Sequence, residues 1–157
     1  MPLIEIIPPE YNVTHQIAYA TSQNFTGKPV YKQARCFLHP EAAAALKKAI
    51  GYAAELGFTL KIFDAYRPPE AQFKLWEHTP DPNFLADPNK GSPHSRGVAI
   101  DLNLVDKDGL ELDMGTPFDT FFAPIASWCD GYLATSKTKS PYPPRYHDIR
   151  RLGFLPE

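Results

Sequence analysis

Ser92-Pro93-His94-Ser95-Arg96-Gly97-Val98-Ala99-Ile100-Asp101 is the stretch on which the rest of this 157-residue chain turns. His94 precedes a tight turn, and Gly97 supplies the conformational freedom that the turn needs. Val98 to Leu104 reads as a strand. Val98, Ile100, Leu102 and Leu104 alternate onto one apolar face, while Ala99, Asp101 and Asn103 share the other. Residues seven apart on one straight strand would point to opposite faces, but the turn at Gly97 lets His94 and Asp101 converge. Ala99 is small and leaves room beside Asp101. An imidazole and a carboxylate that meet this way suit a divalent metal such as zinc. On spacing alone, a capping histidine and a surface aspartate account for the pair more simply. Against that stands the desolvation cost of a carboxylate embedded in an apolar strand.

Upstream, residues 38–57 give the clearest helix. Pro40 can take an early helical position, where its missing N–H costs little. Glu41 favours the positive end of the helix dipole. Leu46, Ile50, Ala53 and Leu56 form an apolar stripe, and Gly57 ends it. Phe58 to Phe63 is the next strand, with Phe58, Leu60 and Ile62 on one face and Thr59 and Lys61 on the other. It runs into Asp64-Ala65-Tyr66-Arg67-Pro68-Pro69, where Pro68 keeps Arg67 out of helical geometry. A second helix is expected from Pro69 to about His78, with Phe73 and Trp76 turned inward. The element order suggests an α+β domain, a small antiparallel sheet flanked by helices. The 17 prolines fall at element boundaries and fit short elements joined by loops.

Composition limits the functions available. A net charge of −2 gives no footprint for nucleic acid. No apolar run approaches the roughly 18 residues of a membrane span. The N-terminus has no basic stretch followed by a long apolar one, so the expected compartment is the cytoplasm. Cys36 and Cys129 form no metal-ligand spacing and no disulfide framework.

The pattern Ser-x-His-x-x-Gly-x-Ala-x-Asp from Ser92 to Asp101 resembles that of the D-Ala-D-Ala dipeptidases of the vancomycin-resistance type. These belong to zinc peptidases that share a small α+β fold with D-Ala-D-Ala carboxypeptidases and Hedgehog signalling domains. Further segments carry the likeness. Asn24-Phe25-Thr26-Gly27 looks like the N-terminal motif of the family, and Gln33-Ala34-Arg35-Cys36 like the start of its first core segment. Asp64-Ala65-Tyr66-Arg67-Pro68 is similar to its arginine motif. Asp113-Met114-Gly115-Thr116 with Phe118-Asp119 is similar to the segment after the metal strand. The resemblance implies a Hedgehog-like α+β fold, one zinc ion per chain with His94 and Asp101 as ligands, and D-Ala-D-Ala as substrate. It implies that Arg67 stabilises negative charge on the scissile amide oxygen in the transition state. Ser92, Tyr66 and Asp119 are expected to support the site.

The family also uses a Glu-x-x-His, which supplies a general base and a third zinc ligand. This chain contains no Glu-x-x-His, so neither group is identifiable. From Ala123 onward no helical or strand periodicity is legible. The expected division is therefore an incomplete zinc dipeptidase domain over 1–122 and a divergent, irregular tail over 123–157, as a frameshift or truncation would leave. A rebuilt site is the other reading, with His147 as replacement ligand and Asp148 or Glu157 as base. The expected function is zinc-dependent hydrolysis of D-Ala-D-Ala, in peptidoglycan metabolism or glycopeptide resistance, weak or absent without the base. A non-catalytic module that binds peptidoglycan peptides is the alternative. No nucleic-acid or membrane partner is expected.

Overall fold

The computed structural model describes residues 2–114 together with Phe118 and Asp119. All of these fall within one compact unit, Met1–Asp119, and the expected boundary at 122 lies outside the described residues. The elements in chain order are β1 (Ile4–Glu5), β2 (Val13–His15), β3 (Phe37–Leu38), α1 (Pro40–Glu55), β4 (Thr59–Asp64), α2 (Pro69–His78) and β5 (Asp101–Val105). Short 3-10 turns stand at Ala18–Ala20 and His94–Arg96. The α+β class is as the sequence suggests.

Helix α1 begins where Pro40 fixes its first turn, and the His39 ring accepts a hydrogen bond from the Glu41 N–H at 3.3 Å. Gly57 follows the helix with a φ of 81°, the left-handed conformation that lets the chain turn back into β4. The buried stripe runs through Ala43, Leu46, Ala49 and Ala53, and α1 packs it against β4. Burial alternates along β4, with Leu60, Ile62 and Asp64 inside. Each large aliphatic side chain here contributes about 1.5–3 kcal/mol through removal from water.

Strand β4 is the centre of a three-stranded sheet ordered β2-β4-β5. It pairs antiparallel with β5 and parallel with β2, so the sheet is mixed rather than antiparallel throughout. The parallel pair arises because the chain passes through β3 and α1 between β2 and β4, a crossover long enough to reverse direction twice. A separate antiparallel pair joins β1 to β3.

Two other expectations need correction. Phe73 is 44% exposed, and the inward face of α2 is Ala71, Gln72 and Leu75. The boundaries of α2 are as expected, and Trp76 is partly buried against the cluster of Tyr19, Leu75 and Leu85, so the error concerns Phe73 alone. Strand β5 starts at Asp101, and Val98 is 47% exposed. Residues 98–100 complete the exit from the Gly97 turn instead of entering the ladder. The Val98 N–H bonds the Pro93 carbonyl at 3.1 Å.

Candidate metal centre and its arginine

The ladder between β4 and β5 is regular up to Ile62↔Leu102, then shifts so that Asp64 pairs with Asp101. A bulge of this kind redirects side chains at the end of a strand pair. Here it brings together two carboxylates from strands that run in opposite directions.

Beyond β4, residues 65–67 are held by two separate pieces of chain. The Tyr66 N–H donates to the Phe37 carbonyl at 2.9 Å, and the Arg67 N–H donates to the His94 carbonyl at 3.0 Å. The His94 ring returns the contact through Nδ1, 2.8 Å from the Ala65 carbonyl. A carbonyl oxygen only accepts, so Nδ1 carries the hydrogen and the neutral ring has its lone pair on Nε2. The Ser92 hydroxyl accepts from the His94 N–H at 3.2 Å, which steadies the turn from behind.

Gly97 closes that turn with a φ of 71°. Its carbonyl accepts from the His39 N–H at 2.8 Å. A Cβ there would lie 3.0 Å from the His39 nitrogen and 3.1 Å from Leu3. Glycine is required both by the backbone angle and by the close approach.

Nε2 of His94 faces Oδ1 of Asp101 at 3.6 Å. A lone pair and a carboxylate oxygen repel unless a cation or proton sits between them. Ligands about 2.1 Å from a tetrahedral zinc are separated by about 3.4 Å, close to what the pair shows. A ring hydrogen-bonded through its far nitrogen to a backbone carbonyl is also the usual support of a ligating histidine. The residues therefore fit a zinc ion. Burial raises the Asp101 carboxyl above the usual carboxylate range, with Asp64 adding to the effect and His94 and Arg67 opposing it.

Asp64 completes a cluster with His94 and Asp101 whose candidate ligand atoms all lie within 4.8 Å of one another. Its oxygens are already engaged. Oδ2 accepts from Arg67 Nε at 2.9 Å and Nη2 at 2.7 Å, and Oδ1 accepts from the Tyr31 hydroxyl at 2.7 Å. Its contact with His94 is to Nδ1, at 3.8 Å, the nitrogen already bonded to Ala65. We assign Asp64 to the arginine rather than to the metal.

Arg67 is only 5% exposed. Nη1 donates to Gln72 Oε1 at 3.0 Å, and the guanidinium carbon lies 5.0 Å from the centre of the Tyr19 ring. Burial is the largest single influence and lowers its pKa, but the charge and hydrogen bonds of Asp64 together with Tyr19 and Tyr31 outweigh it, so the group is held protonated. Nη2 lies 3.7 Å from Asp101 Oδ2, which places the positive charge beside the candidate metal pair.

The Tyr19 hydroxyl donates to Asp119 Oδ1 at 2.9 Å. Asp119 Oδ2 is buried with no hydrogen-bond partner among the described residues. Burial raises this carboxyl too, against the lowering effect of Tyr19 and of the Phe25 backbone. The expected site residues Arg67, His94 and Asp101 thus converge, with Ser92 and Asp119 at their margins. Tyr66 contributes its backbone N–H. His147, Asp148 and Glu157 lie outside the described residues, as do Cys129 and part of the Asp113–Thr116 motif.

Tyr19, Tyr31 and Gln72 were missed by sequence reasoning, and Asp64 was quoted only as part of a motif. Asp64 alone left a signal, since it continues the inward alternation of Leu60 and Ile62.

Comparison with known proteins identifies the family. The family model Peptidase M15, described as D-ala-D-ala dipeptidase, matches residues 3–126. The D-alanyl-D-alanine dipeptidase of Escherichia coli K12 is 48% identical over 116 residues, 74% of this chain and 59% of that protein. The protein of the same name from Enterococcus faecalis is 39% identical over 130 residues, 69% and 64% of the two chains. That from Streptomyces coelicolor is 38% identical over 106 residues, 55% and 52%. The chain thus spans between 52% and 64% of the length of these curated relatives.

Proposed function

Because the chain belongs to the Peptidase M15 family of D-Ala-D-Ala dipeptidases, we propose that it is a zinc peptidase scaffold that takes D-Ala-D-Ala as its substrate, within peptidoglycan metabolism or glycopeptide resistance. The observation that carries this reading is the fixed His94 tautomer, which turns Nε2 toward Asp101. The fold on this reading is the Hedgehog-like α+β fold, and residues 1–122 make up the zinc-binding domain.

His94 and Asp101 would hold one zinc ion, which supplies Lewis acidity toward the scissile carbonyl and the attacking water. Arg67 donates to the amide oxygen as negative charge develops there. It does so from a buried position that is already charged and already oriented, so little reorganisation accompanies the reaction. The unpartnered Oδ2 of Asp119 is an acceptor suited to the free ammonium of a dipeptide. Tyr19 links the two substrate-facing groups, with its ring against Arg67 and its hydroxyl on Asp119.

The test is D-alanine release from D-Ala-D-Ala by the purified chain with added zinc, beside His94→Ala and Arg67→Ala, with zinc affinity measured by calorimetry. Without an identifiable base, weak or no release is expected, with zinc binding that falls in His94→Ala and dipeptide binding that falls in Arg67→Ala. Zinc affinity unchanged in His94→Ala would overturn the ligand assignment. Dipeptide binding without release would favour a peptidoglycan-peptide binding module.

A further inference from the structure

Gln72 stands on α2, a helix whose sequence shows nothing unusual at that position, yet its side chain is 1% exposed. Its amide spans two partners of opposite kind. Oε1 accepts from Arg67 Nη1 at 3.0 Å, and Nε2 donates to the Ala86 carbonyl at 2.7 Å. A guanidinium only donates and a carbonyl only accepts, so the amide has one possible orientation. Of the side chains of this length, only glutamine satisfies both partners. Glutamate keeps the acceptor but sets a carboxylate against the Ala86 carbonyl, and methionine keeps neither.

The other support of Arg67 is incomplete without it. Nε and Nη2 both donate to the same atom, Asp64 Oδ2. Two bonds that converge on one acceptor atom fix a point, about which the guanidinium plane can still pivot. Gln72 holds the opposite nitrogen and removes that pivot. Its second bond runs to Ala86, in the segment that follows α2 and leads to Ser92 and His94. Leu85, next to Ala86, is buried with Tyr19 and Leu75, which anchors that segment.

We propose that Gln72 is a positioning residue that orients the Arg67 guanidinium and ties it to the segment leading into the His94 turn. The proposal builds on the reading of Arg67 as the group that meets the substrate oxygen, but its test does not need turnover. The experiment is side-chain nitrogen NMR of Arg67 in wild type, Gln72→Met and Gln72→Glu. In wild type, the two Nη1 hydrogens should resolve separately in the cold, because one is bonded. In Gln72→Met they should average into a single signal, while the Nε–H signal held by Asp64 stays in place. Gln72→Glu should restore separate Nη1 signals and at the same time shift the Ala86 and Asp87 backbone resonances.

Unchanged Nη1 signals in folded Gln72→Met would overturn the proposal. So would averaged Nη1 signals in the wild type, a measurement that stands even if neither variant folds. Absence of zinc and dipeptide binding in the wild type, with these signals as expected, would count against the function proposed above and not against the role of Gln72.

Discussion

Asp64→Ala should be among the most destabilising single changes in this domain. The Asp64 side chain is 1% exposed and that of Arg67 6%, so their ion pair has almost no solvent to fall back on. Asp64 accepts from Arg67 Nε, Arg67 Nη2 and the Tyr31 hydroxyl. Removing it leaves a buried guanidinium with Gln72, the Tyr19 ring and the more distant Asp101 carboxylate against it, and a partly buried phenol without its acceptor. Breaking a buried pair from one side costs about 3–5 kcal/mol. A small domain has about 5–15 kcal/mol in total. The corresponding fall in melting temperature is about 6–20 °C, at about 2–4 °C per kcal/mol for a chain of this size. Urea unfolding followed by circular dichroism measures the loss directly. The double variant Asp64→Leu with Arg67→Met removes both charges and should be more stable than Asp64→Ala, since no uncompensated charge remains. A single variant within about 1 kcal/mol of wild type, or a double variant less stable than the single, would refute the argument that the pair is desolvated and mutually dependent.

The remaining predictions concern other parts of the fold. Gly97→Ala should destabilise by about 1–2 kcal/mol from the left-handed backbone alone, and by more from the contact with the His39 nitrogen; chemical denaturation would show it, and an unchanged midpoint would mean the turn adapts. Burial pushes the Cys36 thiol up to about 12, so in a Cys129→Ser background it should resist iodoacetamide at neutral pH until the protein is unfolded. His15 is held below its ordinary 6.5, chiefly by burial, and its Nε2 has no hydrogen-bond partner among the described residues. The folded state therefore favours the neutral ring. Stability from this group is intact above pH 6.5 and declines as pH falls through that value, because the unfolded chain takes up a proton that the folded one resists. Denaturation midpoints at about pH 7.5 and pH 5.5 should diverge more in wild type than in His15→Phe. Comparing the two proteins cancels the opposite trend from the raised carboxyls of Asp101 and Asp119.

Helix α1 was legible because three independent signals agree on it, the proline at its start, the apolar spacing and the glycine after its end. Strand β4 was legible from alternation over six residues. Strands β1, β2 and β3 have two or three residues each, too few for a period to emerge, so the parallel pairing of β2 could not be read. Phe73 misled because hydrophobicity was taken as burial in a helix whose inward face includes the polar Gln72. The convergence of Arg67, His94 and Asp101 was legible through motif resemblance. Its supports were not, because Tyr19, Tyr31 and Gln72 acquire their roles only from tertiary packing. Polar residues of this kind sit as readily on a solvated surface, and nothing local distinguishes the two cases.

The backbone contacts around Arg67 bear on the order in which the protein can be made. Tyr66 is bonded to Phe37 and Arg67 to His94, so the site joins pieces of chain that leave the ribosome at widely separated times. During synthesis, Asp64 and Arg67 emerge before the His94 turn to which Arg67 is bonded. The candidate metal pair has no existence until Asp101 has cleared the exit tunnel and closed the ladder onto Asp64. A nascent chain halted before that point would have no place for a divalent ion between His94 and Asp101, so on the proposed reading metal loading follows folding of this domain.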